Sequence, residues 1–271
     1  MRERVLVIDC RHDLGDPDAG SRAYAQGHIP GSAFLHLDRD LSGPKDGLSG
    51  RHPLPEAKQF AETLAGLGAD ESTVIIGVDA SAGIYAARLW WMCRWIGHLR
   101  CGVLDGGMQQ WAAADGPLST DPFEPPRRGL MTVRPSLAPL WTLDHVEAWV
   151  GSGSNSDIAQ LIDARAPERF RGEVEPLDPV AGHIPGACNR VFAHNLDAGG
   201  RFKQASVLRD EFDALLEGRD PMAVVHTCGS GVTACHNLLA MEIAGLAGSA
   251  LYAGSWSEWC SKPDRPVARG H

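Results

Sequence analysis

At 271 residues with a formal net charge of −9, the chain is long enough for two domains of ordinary size and lacks the basic patch of a nucleic-acid binder. Apolar residues make up 44% of it, enough for a core that needs no metal or disulfide, and no apolar run approaches the ~18 residues of a membrane span. Seven cysteines, an odd number without a Cys-x-x-Cys pair, suggest neither a disulfide framework nor a zinc site and point to a reducing, cytoplasmic setting.

Met1–Arg4 leads straight into Val5–Ile8, an apolar run too short for a secretory leader, so none is expected. That run reads as a strand ending at Asp9-Cys10-Arg11. A polar, glycine-bearing stretch follows and closes with Gly27-His28-Ile29-Pro30-Gly31. Phe34–Leu37 reads as a second strand leading to Asp38. The loop over 41–55 is rich in Gly and Pro and holds Arg51-His52-Pro53-Leu54-Pro55; loops of this length in compact domains tend to carry function. Glu56–Leu67 has Phe60, Leu64 and Leu67 on one helical face. A strand over Thr73–Val78 ending in Asp79, a helix over Ile84–Ile96, a short strand at Val103-Leu104 and a helix over Gly107–Ala113 complete the first half. Asp115–Pro139 carries six prolines and reads as a semi-rigid linker, after which Thr142 caps a helix through Val150.

The second half repeats the first. Leu161-Ile162-Asp163-Ala164-Arg165 echoes Val7-Ile8-Asp9-Cys10-Arg11, and Gly182-His183-Ile184-Pro185-Gly186 echoes Gly27–Gly31. The strand over 223–228 with its helix echoes 74–79 with its helix, and Leu251–Gly254 before Trp259 echoes Val103–Gly106 before Trp111. The landmarks keep their order at an offset of about 148 to 155 residues, which is a tandem duplication. Each half is expected to be α/β, a mostly parallel sheet with helices on both faces. The expected boundaries are 1–115 for the first domain, 116–140 for the linker and 141–271 for the second.

Val224-Val225-His226-Thr227 runs into Cys228-Gly229-Ser230-Gly231-Val232-Thr233-Ala234, and a helix follows to about Ala244. Such a strand–turn–helix juncture aims backbone N–H groups and the helix dipole into one bowl, which favours a thiolate at its first position. Gly229 and Gly231 supply the conformational freedom the turn needs. Asp79 stands where the duplication puts Cys228, so the first half is expected to lack a reaction centre. Phosphatase chemistry in a similar bowl wants Cys-x5-Arg; the sixth residue after Cys228 is Ala234. His226 shares a sheet face with Cys228 and reads as structural, Cys235 and the Trp256/Trp259 pair read as packing, and His28 and His183 read as pins for their turns.

The tandem halves, the two His-Ile-Pro-Gly turns, the Asp-for-Cys exchange and the Cys-Gly-Ser-Gly-Val-Thr-Ala loop together resemble the two-domain rhodanese family of sulfurtransferases, the loop that of the 3-mercaptopyruvate branch. The resemblance implies a sulfur atom carried as a persulfide on Cys228, from 3-mercaptopyruvate or thiosulfate to a thiol or cyanide acceptor such as thioredoxin, with no metal or cofactor. The N–H groups from Gly229 through Gly231, Val232 and Thr233 would cradle the sulfur. It also implies a relay of Ser230, His52 and Asp38 for protons, and Arg169 of Arg169-Phe170-Arg171-Gly172 as clamp for a donor carboxylate, with Arg171 outside the site. Two departures pull in different directions: the branch has a second arginine in a Pro-Arg-Asp step, here Pro176-Leu177-Asp178, whereas the thiosulfate-preferring branch has basic residues directly after the cysteine and Gly229-Ser230 offers none, so donor identity stays open. The alternative reading is a non-catalytic rhodanese-like module that binds partners or senses redox state.

Overall fold

The computed structural model describes residues 4–154 and 158–270. Its strands and helices in chain order are β1 (Val5–Asp9), α1 (Ala19–Gln26), β2 (Ala33–Phe34), α2 (Ala57–Gly66), β3 (Val74–Val78), α3 (Ile84–Trp95), β4 (Cys101–Val103) and α4 (Gly107–Ala113) in the first half. The second half has β5 (Leu140–Trp141), α5 (Leu143–Gly151), β6 (Gln160–Asp163), α6 (Pro167–Phe170), β7 (Cys188–Asn189), α7 (Ala205–Leu216), β8 (Val224–Thr227), α8 (Thr233–Ile243), β9 (Ala250–Tyr252) and α9 (Ser255–Trp259). The chain divides into two compact units. One takes in the residues up to Gly43, Leu54–Leu137 and Gly199–Arg201, and the other Pro44–Pro53, Ala138–Ala198 and Phe202 onward.

The first sheet runs β2-β1-β3-β4 and the second β5-β9-β8-β6-β7, every pairing parallel. With β6 matched to β1, the second sheet repeats the order of the first and adds β5 at one edge, so the duplication read from sequence holds at the level of topology. Side-chain alternation explains the layers of the second unit. Leu161 and Val225 face Val146 and Trp149 of α5 and Trp256 and Trp259 of α9, whereas Ile162 and Val224 face Leu208 and Phe212 of α7 and Ala240 and Met241 of α8. Both faces of a parallel sheet are thereby covered, as its apolar strands require.

The same local device recurs in each unit. Arg11 and Arg165 each clasp the aspartate two residues earlier and donate at 2.7 Å to the carbonyl of the glycine preceding a His-Ile-Pro-Gly turn, Gly27 or Gly182. The turn histidines are pinned alike: His28 Nδ1 meets Tyr24 O at 2.9 Å and His183 Nδ1 meets Phe170 O at 2.8 Å, each ring stacked on the aromatic of the residue it bonds. Both read as structural, and burial lowers the pKa of His183.

Two elements differ from expectation. The second strand stops at Phe34, because Leu35 makes a last ladder bond to Asp9 O and His36 N–H then turns to the Asp40 carboxylate at 2.7 Å, while Asp38 N–H turns to His36 Nδ1. Local side-chain acceptors have outcompeted the sheet. α1 lies in the stretch that reads only as polar loop. The proline-rich segment has no helix and is tied along the first unit through Gly129 N–H to Ala65 O, Arg134 N–H to Ile96 O and Leu137 N–H to Arg94 O.

Candidate active site

β6 and β8 are adjacent at the point where the sheet order reverses, and ligands of open parallel sheets gather beyond the carboxyl ends there. Cys228 is the first residue past β8, and Ala164 N–H, just past β6, bonds Thr227 O at 2.9 Å. The β-branched Val224, Val225 and Thr227 favour the extended strand that leads into the loop. Cys228 is buried, at 2% exposure.

The loop is held from α9. Ser255 Oγ accepts from Cys228 N–H at 3.1 Å, Trp256 N–H donates to Cys228 O at 3.0 Å and Ser257 N–H to Gly229 O at 2.9 Å. The two loop glycines serve different ends. Gly231 has φ +74° and approaches Ala253 so closely that a Cβ would lie 2.3 Å from its carbonyl oxygen. Gly229 lacks a positive φ; a Cβ there would sit 2.7 Å from Arg51 Nη2 and 3.5 and 3.6 Å from the Arg169 Nη atoms. The expectation that both relax the backbone is therefore corrected for Gly229, whose bare Cα makes room for two guanidiniums. Val232 is buried, and Thr233 opens α8. Cys235 is buried in that helix, its thiol donating to Gly231 O at 3.3 Å.

The first unit shows what such a bowl does to an anion. Asp79, one residue past β3, accepts from Ser81 and Gly83 N–H on Oδ1 and from Tyr85 and Ala86 N–H on Oδ2, all at 2.8–2.9 Å. Burial still outweighs those bonds and raises its pKa.

Ser230 and His52 come together: its hydroxyl and His52 Nδ1 are 2.7 Å apart, both residues buried. The segment Pro44–Pro53, although it comes from the first half of the sequence, belongs to the second unit and is fastened there by Arg51 N–H to Ser257 Oγ at 3.0 Å and Ser261 Oγ to Leu48 O at 3.1 Å. Asp38 belongs to the first unit, its carboxylate 3.9 Å from His12 Nε2. His12, His36 and Asp38 form the group of possible metal ligands among the described residues, yet both ring nitrogens of His36 meet backbone partners, Asp38 N–H and Pro17 O.

A charge network lies against the loop. Asp178 takes Arg51 Nε at 3.1 Å on Oδ1 and Arg169 Nη2 at 3.3 Å on Oδ2; Glu175 takes Arg169 Nη2 at 2.6 Å and Arg165 Nη1 at 3.4 Å. Both carboxylates are almost wholly buried, and burial raises the pKa of Asp178 despite its arginines. Burial works against the charge of Arg165, but Asp163, Glu175 and the sulfur of Cys228 outweigh it and raise its pKa. Arg169 Nε is buried without a hydrogen-bond partner among the described residues. Arg171 lies outside this network, paired with the exposed Glu173. Leu177, where the second family arginine would stand, is 41% exposed.

Sequence reasoning quoted Arg51 within its motif but gave it no role. It also missed Asp178, Glu175 and Ser255 as parts of the site. The signals were present: Arg51 adjoins His52, and Ser255 stands at the repeat position of Gly107. His226 packs on α8, with Nε2 3.0 Å from Met241 Sδ. Trp256 and Trp259 are core residues whose indole N–H groups reach Val180 O and Pro266 O.

The model of the rhodanese-like domain matches the chain twice, over residues 1–114 and 146–262. A probable 3-mercaptopyruvate sulfurtransferase of Pseudomonas aeruginosa is 46% identical over 269 residues, covering 98% of this chain and 93% of its own. The human 3-mercaptopyruvate sulfurtransferase is 36% identical, covering 92% and 83%, and the chicken thiosulfate sulfurtransferase 32%, covering 94% and 86%. Among solved structures, the 3-mercaptopyruvate sulfurtransferase from Leishmania major superposes with a TM-score of 0.81 at 28% identity, over 95% of this chain and 70% of that one. The SseA protein from Escherichia coli does so with 0.76 at 30%, over 93% and 92%. With two matched domains and relatives alike along nearly its whole length, the chain belongs to the family of proteins built from rhodanese-like domains.

Proposed function

We propose that the protein is a sulfurtransferase that carries sulfur as a persulfide on Cys228, taking it from 3-mercaptopyruvate or thiosulfate and passing it to a thiol or cyanide. The observation that carries this reading is the convergence of the Arg51 and Arg169 guanidiniums on Gly229, next to a cysteine at a bowl-forming turn. Arg169 Nε, buried without a hydrogen-bond partner among the described residues, is a donor that an anionic ligand would satisfy. Arg51 supplies the second cation that Leu177 does not.

With 3-mercaptopyruvate, the Cys228 thiolate attacks the donor sulfur. The S–S bond forms as the C–S bond breaks, its electron pair passes to the enolate of pyruvate, and a proton from the donor thiol completes pyruvate. The Ser230–His52 pair, in hydrogen-bond contact, moves that proton, and Asp38 is the carboxylate that the family resemblance adds to the pair. With thiosulfate, sulfite leaves and no proton is needed. An acceptor thiolate, thioredoxin included, then takes the outer sulfur and regenerates the Cys228 thiolate. We place the protein in a reducing cytoplasm on its cysteine usage, seven in number without a Cys-x-x-Cys pair.

Steady-state assays test this: pyruvate release from 3-mercaptopyruvate with a thiol acceptor, and thiocyanate formation from thiosulfate with cyanide. Turnover of at least one donor, abolished in Cys228→Ser, is expected. Turnover that persists in Cys228→Ser would overturn the reading.

A further inference from the structure

Resting on that reading, we infer that Asp178, supported by Glu175, selects the class of donor by charge, making the site one for a monoanionic keto acid rather than for a dianion. The site contains three guanidiniums, Arg51, Arg165 and Arg169, and each is matched by a buried carboxylate. Arg165 pairs with Asp163 at 2.8 Å and Glu175 at 3.4 Å, Arg169 with Glu175 at 2.6 Å and Asp178 at 3.3 Å, and Arg51 with Asp178 at 3.1 Å. Three positive charges face three negative ones, so the cations that point at Gly229 carry almost no excess charge. The side chains of Asp163, Glu175 and Asp178 are only 2–3% exposed, so water does little to screen them.

The consequence follows from Coulomb's law. A nucleophile that works as a thiolate adds a negative charge to a neutral surround. A donor with one carboxylate and a neutral thiol brings one more, which two directed guanidiniums can meet by hydrogen bonding. Thiosulfate brings two, and the balanced set of three guanidiniums and three carboxylates offers no excess positive charge to meet the second. Asp178 also fixes geometry, since separate oxygens hold separate arginines: Oδ1 takes Arg51 Nε and Oδ2 takes Arg169 Nη2. One carboxylate thereby sets both the spacing of the clamp and its net charge. Its two oxygens are taken by arginines, so it acts through them and is a positioning residue.

The test is the ratio of kcat/KM for 3-mercaptopyruvate to that for thiosulfate, measured in the wild type, Asp178→Asn, Asp178→Glu and Glu175→Gln. The wild type should favour 3-mercaptopyruvate. Asp178→Asn, which keeps the shape and removes the charge, should lower the ratio about tenfold, because one net positive charge helps the dianion while the loosened clamp raises KM for the keto acid. Asp178→Glu keeps the charge and should hold the ratio within about threefold whatever it does to the rates. Glu175→Gln should move it as Asp178→Asn does, and serves if that variant fails to fold. Equal losses for both donors in both amide variants would reduce these acids to a structural role and overturn the inference, as would a wild type that prefers thiosulfate. A wild type that gains no sulfur on Cys228 from either donor would overturn the underlying reading instead, before any variant is compared.

Discussion

His226 of β8 is enclosed at 0% exposure against α8, its Nδ1 without a partner among the described residues, and burial pushes its pKa down to about 3. Folded, it stays neutral; unfolded, it titrates near 6.5. Below pH 6.5 the unfolded chain therefore binds the extra proton, and stability falls as pH drops from 6.5 towards 3, by up to about 1.4 kcal/mol per pH unit from this group alone. Urea unfolding at pH 7 and pH 5 should show His226→Leu losing about 2 kcal/mol less than the wild type between the two. Equal losses would remove the histidine from the acid response. Arg169 carries the other prediction at this scale. Arg169→Ala should raise KM for 3-mercaptopyruvate about tenfold, in keeping with the loss of a charge-assisted bond. An unchanged KM in steady-state assays would take Arg169 out of the clamp.

The nucleophile loop shows how far an element can be read before its contacts are known. The apolar strand, the thiol at its end and the glycine-bearing turn were all legible, because local pattern alone dictates a strand–turn–helix there. The distinct roles of Gly229 and Gly231 were not, since one depends on Ala253 and the other on Arg51, both remote in sequence. Their variants should part accordingly. Gly231→Ala combines a positive φ with a backbone clash and should cost about 2 kcal/mol or more in urea unfolding. Gly229→Ala meets the far ends of two arginine side chains rather than backbone, the Arg51 guanidinium closest, so stability should change by less than about 1 kcal/mol while displacement of the clamp raises KM for 3-mercaptopyruvate. The shortened β2 teaches a related lesson: Leu35 and Leu37 are buried as their pattern requires, but hydrogen bonds from the Asp40 and His36 side chains decide that they leave the sheet. α1 was hidden because only Gly20 of its eight residues is buried, which leaves no apolar stripe to read.

At the level of the whole chain, duplication is what made the fold legible. Matched landmarks fixed two α/β units, and the shared sheet order and paired Arg–Asp clasps follow from them. Comparison of the halves also located the difference that matters. The same juncture holds a carboxylate bonded by four N–H groups in one unit and a thiol in the other. The segment carrying Arg51 and His52 belongs to the second unit despite its place in the sequence, which no repeat pattern could announce. The measurement that bears most directly on the central claim is the mass of the protein after incubation with 3-mercaptopyruvate or with thiosulfate, without an acceptor. The wild type should gain one sulfur atom, located by peptide mapping to Cys228, released by a thiol and absent in Cys228→Ser. No added sulfur with either donor, or sulfur on another cysteine, would contradict it.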